Sequence, residues 1–367
     1  MMTYSFEQAL NAFRSSEIRD LSLDPNGLRF LKLRSMSRTE YLHRLLQDNA
    51  MQIPKLRGDA LMQFLFDADI AEERIESTMR AIYAEQRQAR RLIEDEMVSE
   101  LYRLEAFDWG GLHQNSLEKT IVDNYIKKIR SYDALSDCIE NELHRSMRGY
   151  VLCSWYNHWT SIIIEDIFRD HSAVLPAIGL IKKVDFFISG TPFDLKVTYF
   201  PEGYVKDIRK KASLRPETTL LKSFCRSKRI TFDSQLPESR LLEDLWKKVE
   251  DYPSSDARDL ISSLRQKRLE MIADASSHPE DLMRWLYENQ GERRFDASNR
   301  LFLILIDTHN FFESWRLKRA KHLLARGIHG HLNEAAGTPG RELEFVWKDR
   351  RYFTTSDAIF IIHDRNR

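Results

Sequence analysis

The chain has 367 residues, 42% hydrophobic and 11% aromatic, enough for two domains or for one core with large insertions. Lys+Arg and Asp+Glu balance at 56 each, so no global field points to nucleic acid or membrane and any electrostatic signal must be local. The longest apolar runs, such as Leu301–Ile306, are too short to span a bilayer, and the N-terminus lacks the basic-then-apolar order of a secretion signal. The cysteines Cys138, Cys153 and Cys225 are odd in number and show no zinc spacing, which predicts inert core residues in a cytoplasmic protein with no membrane partner.

Residues 1 to about 150 read as a helical region. Ile75, Met79, Ile82, Ala89, Ile93, Met97 and Leu101 recur at helical spacing through a charged segment, as in an amphipathic helix of a bundle or a helix that docks a partner. A further helix is expected over about 149–170, and a short β-prone piece follows it at 173–180. Helices return over about 203–295, and "RLFLILID" (Arg300–Asp307) reads as a strand buried on both faces. A helix over about 311–326, a Gly-rich loop ("GIHGHLNEAAGTPG") and strands at "LEFVWK" and "DAIFIIHD" close the chain. The order predicts an α/β domain over 151–367 with a helical insertion at about 203–295.

The most informative stretch is "KKVDFFISGTPFDLKVTYF", from Lys182 to Phe200. A turn centred on Gly190-Thr191 would set Asp185 opposite Lys196 and Phe187 opposite Asp194. Alternation then puts Val184, Phe186, Ile188, Phe193, Leu195 and Val197 on one face, and Asp185, Asp194, Lys196 and Thr198 on the other. Two carboxylates held close repel unless a cation lies between them, and a hard divalent ion with oxygen ligands suits them. Lys196 beside them could orient a water or stabilise developing charge, a combination suited to metal-dependent phosphodiester hydrolysis. The competing reading is a salt bridge on a solvated hairpin face.

Asp185, Asp194 and Lys196 resemble the PD-(D/E)xK pattern of the restriction-endonuclease-like nuclease superfamily. That resemblance implies a mixed β-sheet core flanked by helices, in the order helix, three-stranded meander, helix, strand. The meander would be about 173–180, 182–188 and 192–200, with 300–307 as the later strand. It also implies a Mg²⁺-dependent DNA endonuclease, with Mn²⁺ able to substitute, in a restriction or phage-defence role. Asp185 and Asp194 would bind metal, Lys196 would act on the water, and an acid from the preceding helix would assist. Glu165 is the candidate for that acid and Asp166 its rival. Val184 stands where the family often has proline, and Asp194 where glutamate is commoner. The resemblance covers about 155–307 and leaves residues 1–150 unexplained. It implies duplex DNA as substrate and a homodimer, the N-terminal helices supplying a dimer, DNA or partner surface. Alternatives are a relaxed-specificity DNA or RNA effector nuclease in a multi-protein defence system, and a binding subunit whose nuclease-like core is structural.

After the hairpin, Lys206, Arg209, Lys210, Lys211, Arg215, Lys222, Arg226, Lys228 and Arg229 form a basic stripe opposed only by Asp207 and Glu217. It is the candidate nucleic-acid contact, with a solvated basic face as its rival. Arg316, Lys318, Arg319, Lys321 and Arg326 form a weaker second cluster. His329 and His331 fall in the expected Gly-rich loop, His158 reads as a packed core residue, and Asp307 and His309 end the buried strand. No P-loop, dinucleotide, zincin or nucleophile-elbow motif occurs.

Overall fold

The computed structural model describes residues 3–109, 117–179, 181, 183–291, 295, 297–334 and 340–364. The N-terminal region is helical: α1 (Phe6–Arg14), α2 (Ile18–Ser22), α3 (Pro25–Ser35), α4 (Thr39–Asp48), α5 (Gly58–Asp67) and the 30-residue α6 (Glu72–Leu101). The starts of these helices are written locally. Ser5 and Gln8 form a reciprocal capping box on α1, and Asp24 caps α3 with Pro25 at its first position. Short helices α7 (Leu117–Ile121) and α8 (Tyr132–Cys138) precede α9 (His144–Arg169), which runs unbroken across residue 150.

The meander follows as β1 (Val174–Pro176), β2 (Phe186–Ile188) and β3 (Thr191–Tyr199). Helices α10 (Glu202–Lys211), α11 (Glu217–Ser227), α12 (Glu238–Glu250), α13 (Ser255–Ser277) and α14 (Pro279–Glu288) then lead to β4 (Arg300–Asp307). A 3₁₀ segment over Phe311–Arg319, α15 (Lys321–Glu334), β5 (Arg341–Trp347) and β6 (Arg350–His363) complete the chain.

Among the described residues the strands form one six-stranded mixed sheet in the order β1-β2-β3-β4-β6-β5. β1, β2 and β3 pair antiparallel, β3, β4 and β6 run parallel, and β5 returns antiparallel to β6. β4 explains its own apolar run. Leu301, Leu303 and Leu305 pack with α9 and α15 on one face, while Phe302, Ile304 and Ile306 pack with α13 and α14 on the other. The outer edge of β5 is covered rather than open: Arg284 Nε of α14 donates to the Glu344 carbonyl at 3.1 Å, and Glu288 Oε1 accepts the Val346 N–H at 3.1 Å.

The N-terminal helices share a core with the start of the sheet. Phe30, Leu45, Leu65, Ile75 and Met79 pack in one cluster with Leu175, Ala177, Ile181, Val184 and Phe187. Ile93, expected on the apolar stripe of α6, is 44% exposed. The expected Gly-rich loop is instead largely the second half of α15, so His329 and His331 lie on a helix. Leu324, Ile328 and Leu332 are buried at four-residue spacing, and that burial outweighs the low helix propensity of Gly327 and Gly330. Among the described residues no helix is long and apolar enough to cross a membrane.

Candidate active site

The hairpin that carries the site closes one residue earlier than its sequence suggests. Ser189 and Gly190, at φ 50° and 80°, form a two-residue turn between the paired Ile188 and Thr191. Phe187 therefore faces Pro192, and Phe186 faces Phe193. Neither Asp185 opposite Lys196 nor Phe187 opposite Asp194 is found. The slip is two residues, an even number, so alternation along β3 still turns Asp194 and Lys196 to one face and Phe193, Leu195 and Val197 to the other. Val184 leaves the face expected for it, because it lies before β2 and packs with the N-terminal helices.

Asp185 stands where β2 leaves the ladder. Its N–H donates to the Phe193 carbonyl at 2.8 Å, although Phe193 is already paired with Phe186. Two residues of one strand thus address one of the other, which marks a bulge and re-aims the extra side chain. The Asp185 carboxylate uses that freedom: its Oδ2 accepts the Leu195 N–H at 2.7 Å. The Asp185 carbonyl is held from the other side by Arg169, with Nε at 3.3 Å and Nη2 at 3.2 Å.

Asp194 is buried, and its Oδ1 receives Lys196 Nζ at 2.6 Å. Parallel pairing sets Arg300, the first residue of β4, beside Asp194, with its Nε 3.8 Å from Oδ2. The Arg300 guanidinium also lies over the Tyr287 ring, 5.0 Å from its centre. Arg300 is a site residue that sequence reasoning missed. The visible signal was a lone cation opening an otherwise apolar strand, but its partner depends on a parallel register that no local pattern encodes.

The preceding helix separates the two rival acids. Asp166 is 3% exposed and faces α6, where Arg90 grips it with Nε to Oδ2 and Nη2 to Oδ1, both 2.7 Å. Glu165 instead pairs with Arg169 at 2.8 Å, one helical turn on, and lies within electrostatic reach of Asp185. Burial, above all, holds the Glu165 carboxyl above its ordinary value, and the charges of Asp185 and Asp166 add to this against Arg169 and Arg90. Burial likewise raises the Asp185 carboxyl, opposed by the Leu195 N–H, reinforced by Asp194, and again opposed by Arg169 and Lys196. Asp185, Asp194, Lys196 and Glu165 are thereby brought together, and Asp166 is not.

The donor chemistry suits a hard cation, since carboxylates raised by burial and mutual repulsion gain from positive charge between them. Among the described residues, however, no group of three or more His, Cys, Asp or Glu side chains is arranged to hold a metal ion. Asp194 is paired with Lys196 and Glu165 with Arg169 instead, while the Asp185 carboxylate accepts the Leu195 N–H.

The basic stripe is not assembled around these acids. β3 carries the chain past Lys196 to Tyr199 before α10 begins, so the stripe lies beyond the carboxyl end of the strand. Arg209 is buried, with Nε and Nη2 donating to the Arg215 carbonyl at 3.0 and 2.7 Å. Lys206 pairs with Glu238 at 2.7 Å and Lys228 with Asp256 at 3.0 Å. Lys210, Lys211, Arg215, Arg226 and Arg229 are exposed, and Lys222 is half-buried. The second cluster is largely consumed internally. Arg319 donates to the Leu101 and Leu104 carbonyls, Lys321 pairs with Glu94 and Asp95, and Arg316 pairs with Glu313.

The histidines also differ from expectation. His331 Nε2 lies 2.8 Å from Asp357 Oδ2 and His329 Nε2 lies 3.1 Å from the Ile167 carbonyl, so the two rings point to different partners. His158 is exposed beside Trp159 rather than packed in the core. Cys153 and Cys225 are buried, while Cys138 is half-exposed next to Glu142.

No family model, no curated protein and no solved structure matches the chain.

Proposed function

We propose that this chain is a Mg²⁺-dependent DNA endonuclease of the restriction-endonuclease-like type, with a restriction or phage-defence role. The observation that carries this reading is the placement of Asp185. A bulge draws its carboxylate onto the Leu195 N–H, between the two charged residues of the D-x-K triplet, with Glu165 in electrostatic reach. The element order, a long helix, an antiparallel meander, a helical crossover and a parallel strand, also agrees with what the sequence resemblance implies.

In this reading Asp185, Asp194 and Glu165, which as they stand are not arranged around an ion, would turn to hold one, and it would supply an acidified water and neutralise charge on the phosphate. Lys196 is poised to change partners. Its ammonium now neutralises Asp194, and release from that pair would leave it free to orient a water or to stabilise charge on the scissile phosphate. Arg300, beside Asp194, keeps positive charge at the site whichever way Lys196 turns. Arg169 fixes both Glu165 and the Asp185 backbone, so it positions the two acids.

The test is incubation of the purified protein with plasmid in Mg²⁺ and in EDTA, beside Asp194→Ala and Lys196→Ala variants. Mg²⁺-dependent cleavage abolished by both substitutions supports the assignment; cleavage that survives both would sink it. Discrete bands favour a site-specific enzyme and a smear favours a relaxed-specificity effector.

One observation favours a second reading, a nucleic-acid-binding subunit with a structural nuclease-like core. Lys196 and Arg169 already satisfy Asp194 and Glu165 within the fold. Salt-sensitive DNA or RNA binding with no cleavage in any divalent metal would select it.

A further inference from the structure

β3 and β4 are adjacent parallel strands, yet the chain leaves them toward opposite faces of the sheet. After β3, Tyr204 of α10 packs with α13 and α14 over Phe302, Ile304 and Ile306. After β4, α15 packs over Leu301, Leu303 and Leu305. Such divergence opens a crevice at the carboxyl ends of the strands, the place where α/β sheets bind ligands. A cleft of ≈ 1400 Å³ lies there, bordered by residues 198–202 at the end of β3 and just beyond it, and by Phe311 and Phe312 after β4. Neither Asp185, Asp194 nor Lys196 lines it, so it is separate from the carboxylate site and stands independently of the nuclease reading.

The lining has a definite chemistry. Half-buried rings of Trp109, Trp285, Phe311 and Phe312 supply flat apolar walls. Most of the acids in the cleft are committed elsewhere. Asp108 pairs with Arg240, Glu202 with Arg268 at 2.7 Å, and Glu142 accepts the Tyr125 hydroxyl at 3.0 Å. Glu243 is held above its ordinary value by burial and by Glu313, against Arg240 and Lys247. Arg145 and Arg148, one turn apart on α9, are exposed at the cleft and make no ion pair among the described residues. Arg145 and Arg148 thus offer two uncommitted cations on one wall of the cleft, with Glu243 the remaining acid. Tyr199, the last residue of β3, also lines the cleft, and its hydroxyl is buried with no hydrogen-bond partner among the described residues. An orphaned buried hydroxyl costs stability unless a ligand completes it.

We propose that this cleft is a nucleotide-binding site. The base lies against the aromatic walls, the phosphate meets Arg145 and Arg148, and the Tyr199 hydroxyl bonds to the base or sugar. The nucleotide comes either free or as an unpaired residue of a nucleic-acid strand, since both present the same base and phosphate.

The test is tryptophan-fluorescence titration of the full chain in EDTA, which excludes cleavage. The probes are AMP, a short single-stranded oligonucleotide, and the same sequence as a blunt duplex. Saturable quenching is expected with AMP and with the single strand. Affinity should fall about tenfold or more in the double variant Arg145→Glu/Arg148→Glu, whose exposed positions leave the fold intact by circular dichroism. Tyr199→Phe should weaken binding several-fold without lowering the melting temperature, because it removes a hydroxyl that the protein itself leaves unpaired. Equal affinity for AMP and the single strand identifies a free nucleotide; much tighter binding of the single strand identifies a strand path. Absence of saturable binding by both probes, or binding unchanged in the folded double variant, overturns the proposal. Failure of plasmid cleavage would leave it standing.

Discussion

Asp185 Oδ2 and the Leu195 N–H, 2.7 Å apart, let a side chain complete the ladder at the step where β2 departs. The same carboxyl is raised above its ordinary value by burial, with Asp194 adding to the effect. A carboxyl with a raised folded value binds more protons folded than unfolded over the interval between the two values. Its contribution to stability is therefore full below the unfolded value, about pH 4, and is lost as pH rises through the folded one. Asp185→Asn keeps an acceptor for Leu195 and removes the charge. It should unfold at higher urea than the parent at pH 7, with the difference shrinking as the pH falls toward about 4. Urea melts at both pH values check this. An asparagine variant weaker than the parent at pH 7 would mean that the charged form is favoured in the fold.

Glu165 and Asp166 are neighbours in sequence with different work to do. Asp166→Asn leaves Arg90 without its bidentate partner in a buried setting, and should cost about 3–5 kcal/mol by urea unfolding. Glu165→Gln breaks a largely buried pair with Arg169, but it removes a charge that burial already disfavours, and should change the urea midpoint far less than Asp166→Asn. In the nuclease reading it lowers Mg²⁺-dependent cleavage at least tenfold. Equal stability losses in the two variants would remove the distinction between them.

Some of this is legible because burial imposes simple patterns. Arg300–Asp307 is readable to the residue, since a strand covered on both faces leaves no polar position inside it. The faces of β3 follow from alternation, which survives any even slip. The register does not, because Ser189 accepts a positive φ beside Gly190 and so moves the turn one residue earlier. α15 is hidden by its glycines, which look like loop punctuation. A Cβ on Gly327 would collide with Ile361 Cδ1, so that glycine serves the close approach of a helix to β6. The bulge at Asp185 and the pairing of Arg300 with Asp194 are tertiary facts, fixed by strands that meet only after the intervening helices have packed.

The basic stripe divides into cations that hold the fold and cations that face solvent. In the nuclease reading, Lys210→Ala, Lys211→Ala and Arg215→Ala together should weaken DNA binding across sequences. They should also lower the slope of log affinity against log salt by about 0.9 for each phosphate no longer neutralised. Arg209→Ala should act through stability, because its guanidinium holds the Arg215 carbonyl and lies 3.7 Å from Glu217. Filter binding over a salt series, beside urea melts, separates the two effects. An unchanged slope in the triple variant would identify those residues as a solvated face.

Arg268 ties the helices between β3 and β4 to the carboxyl edge of the sheet. It is 3% exposed, donates to Glu202 at 2.8 and 2.7 Å, and reaches Glu217 at 2.6 Å. Its guanidinium also lies over Trp246, Phe311 and Phe312, 5.2, 5.2 and 5.5 Å from their centres. Glu202 opens α10 just after β3, and Phe311 follows β4, so one cation joins both strand exits to α12 and α13. Arg268→Met fills much of the same space but leaves Glu202 without its counter-charge and Glu217 with only Arg209, at 3.7 Å. It should cost about 3–5 kcal/mol in urea unfolding, and adding Glu217→Gln should recover part of that loss. A loss below about 1 kcal/mol, the range of exposed pairs, would mean that water reaches the cluster.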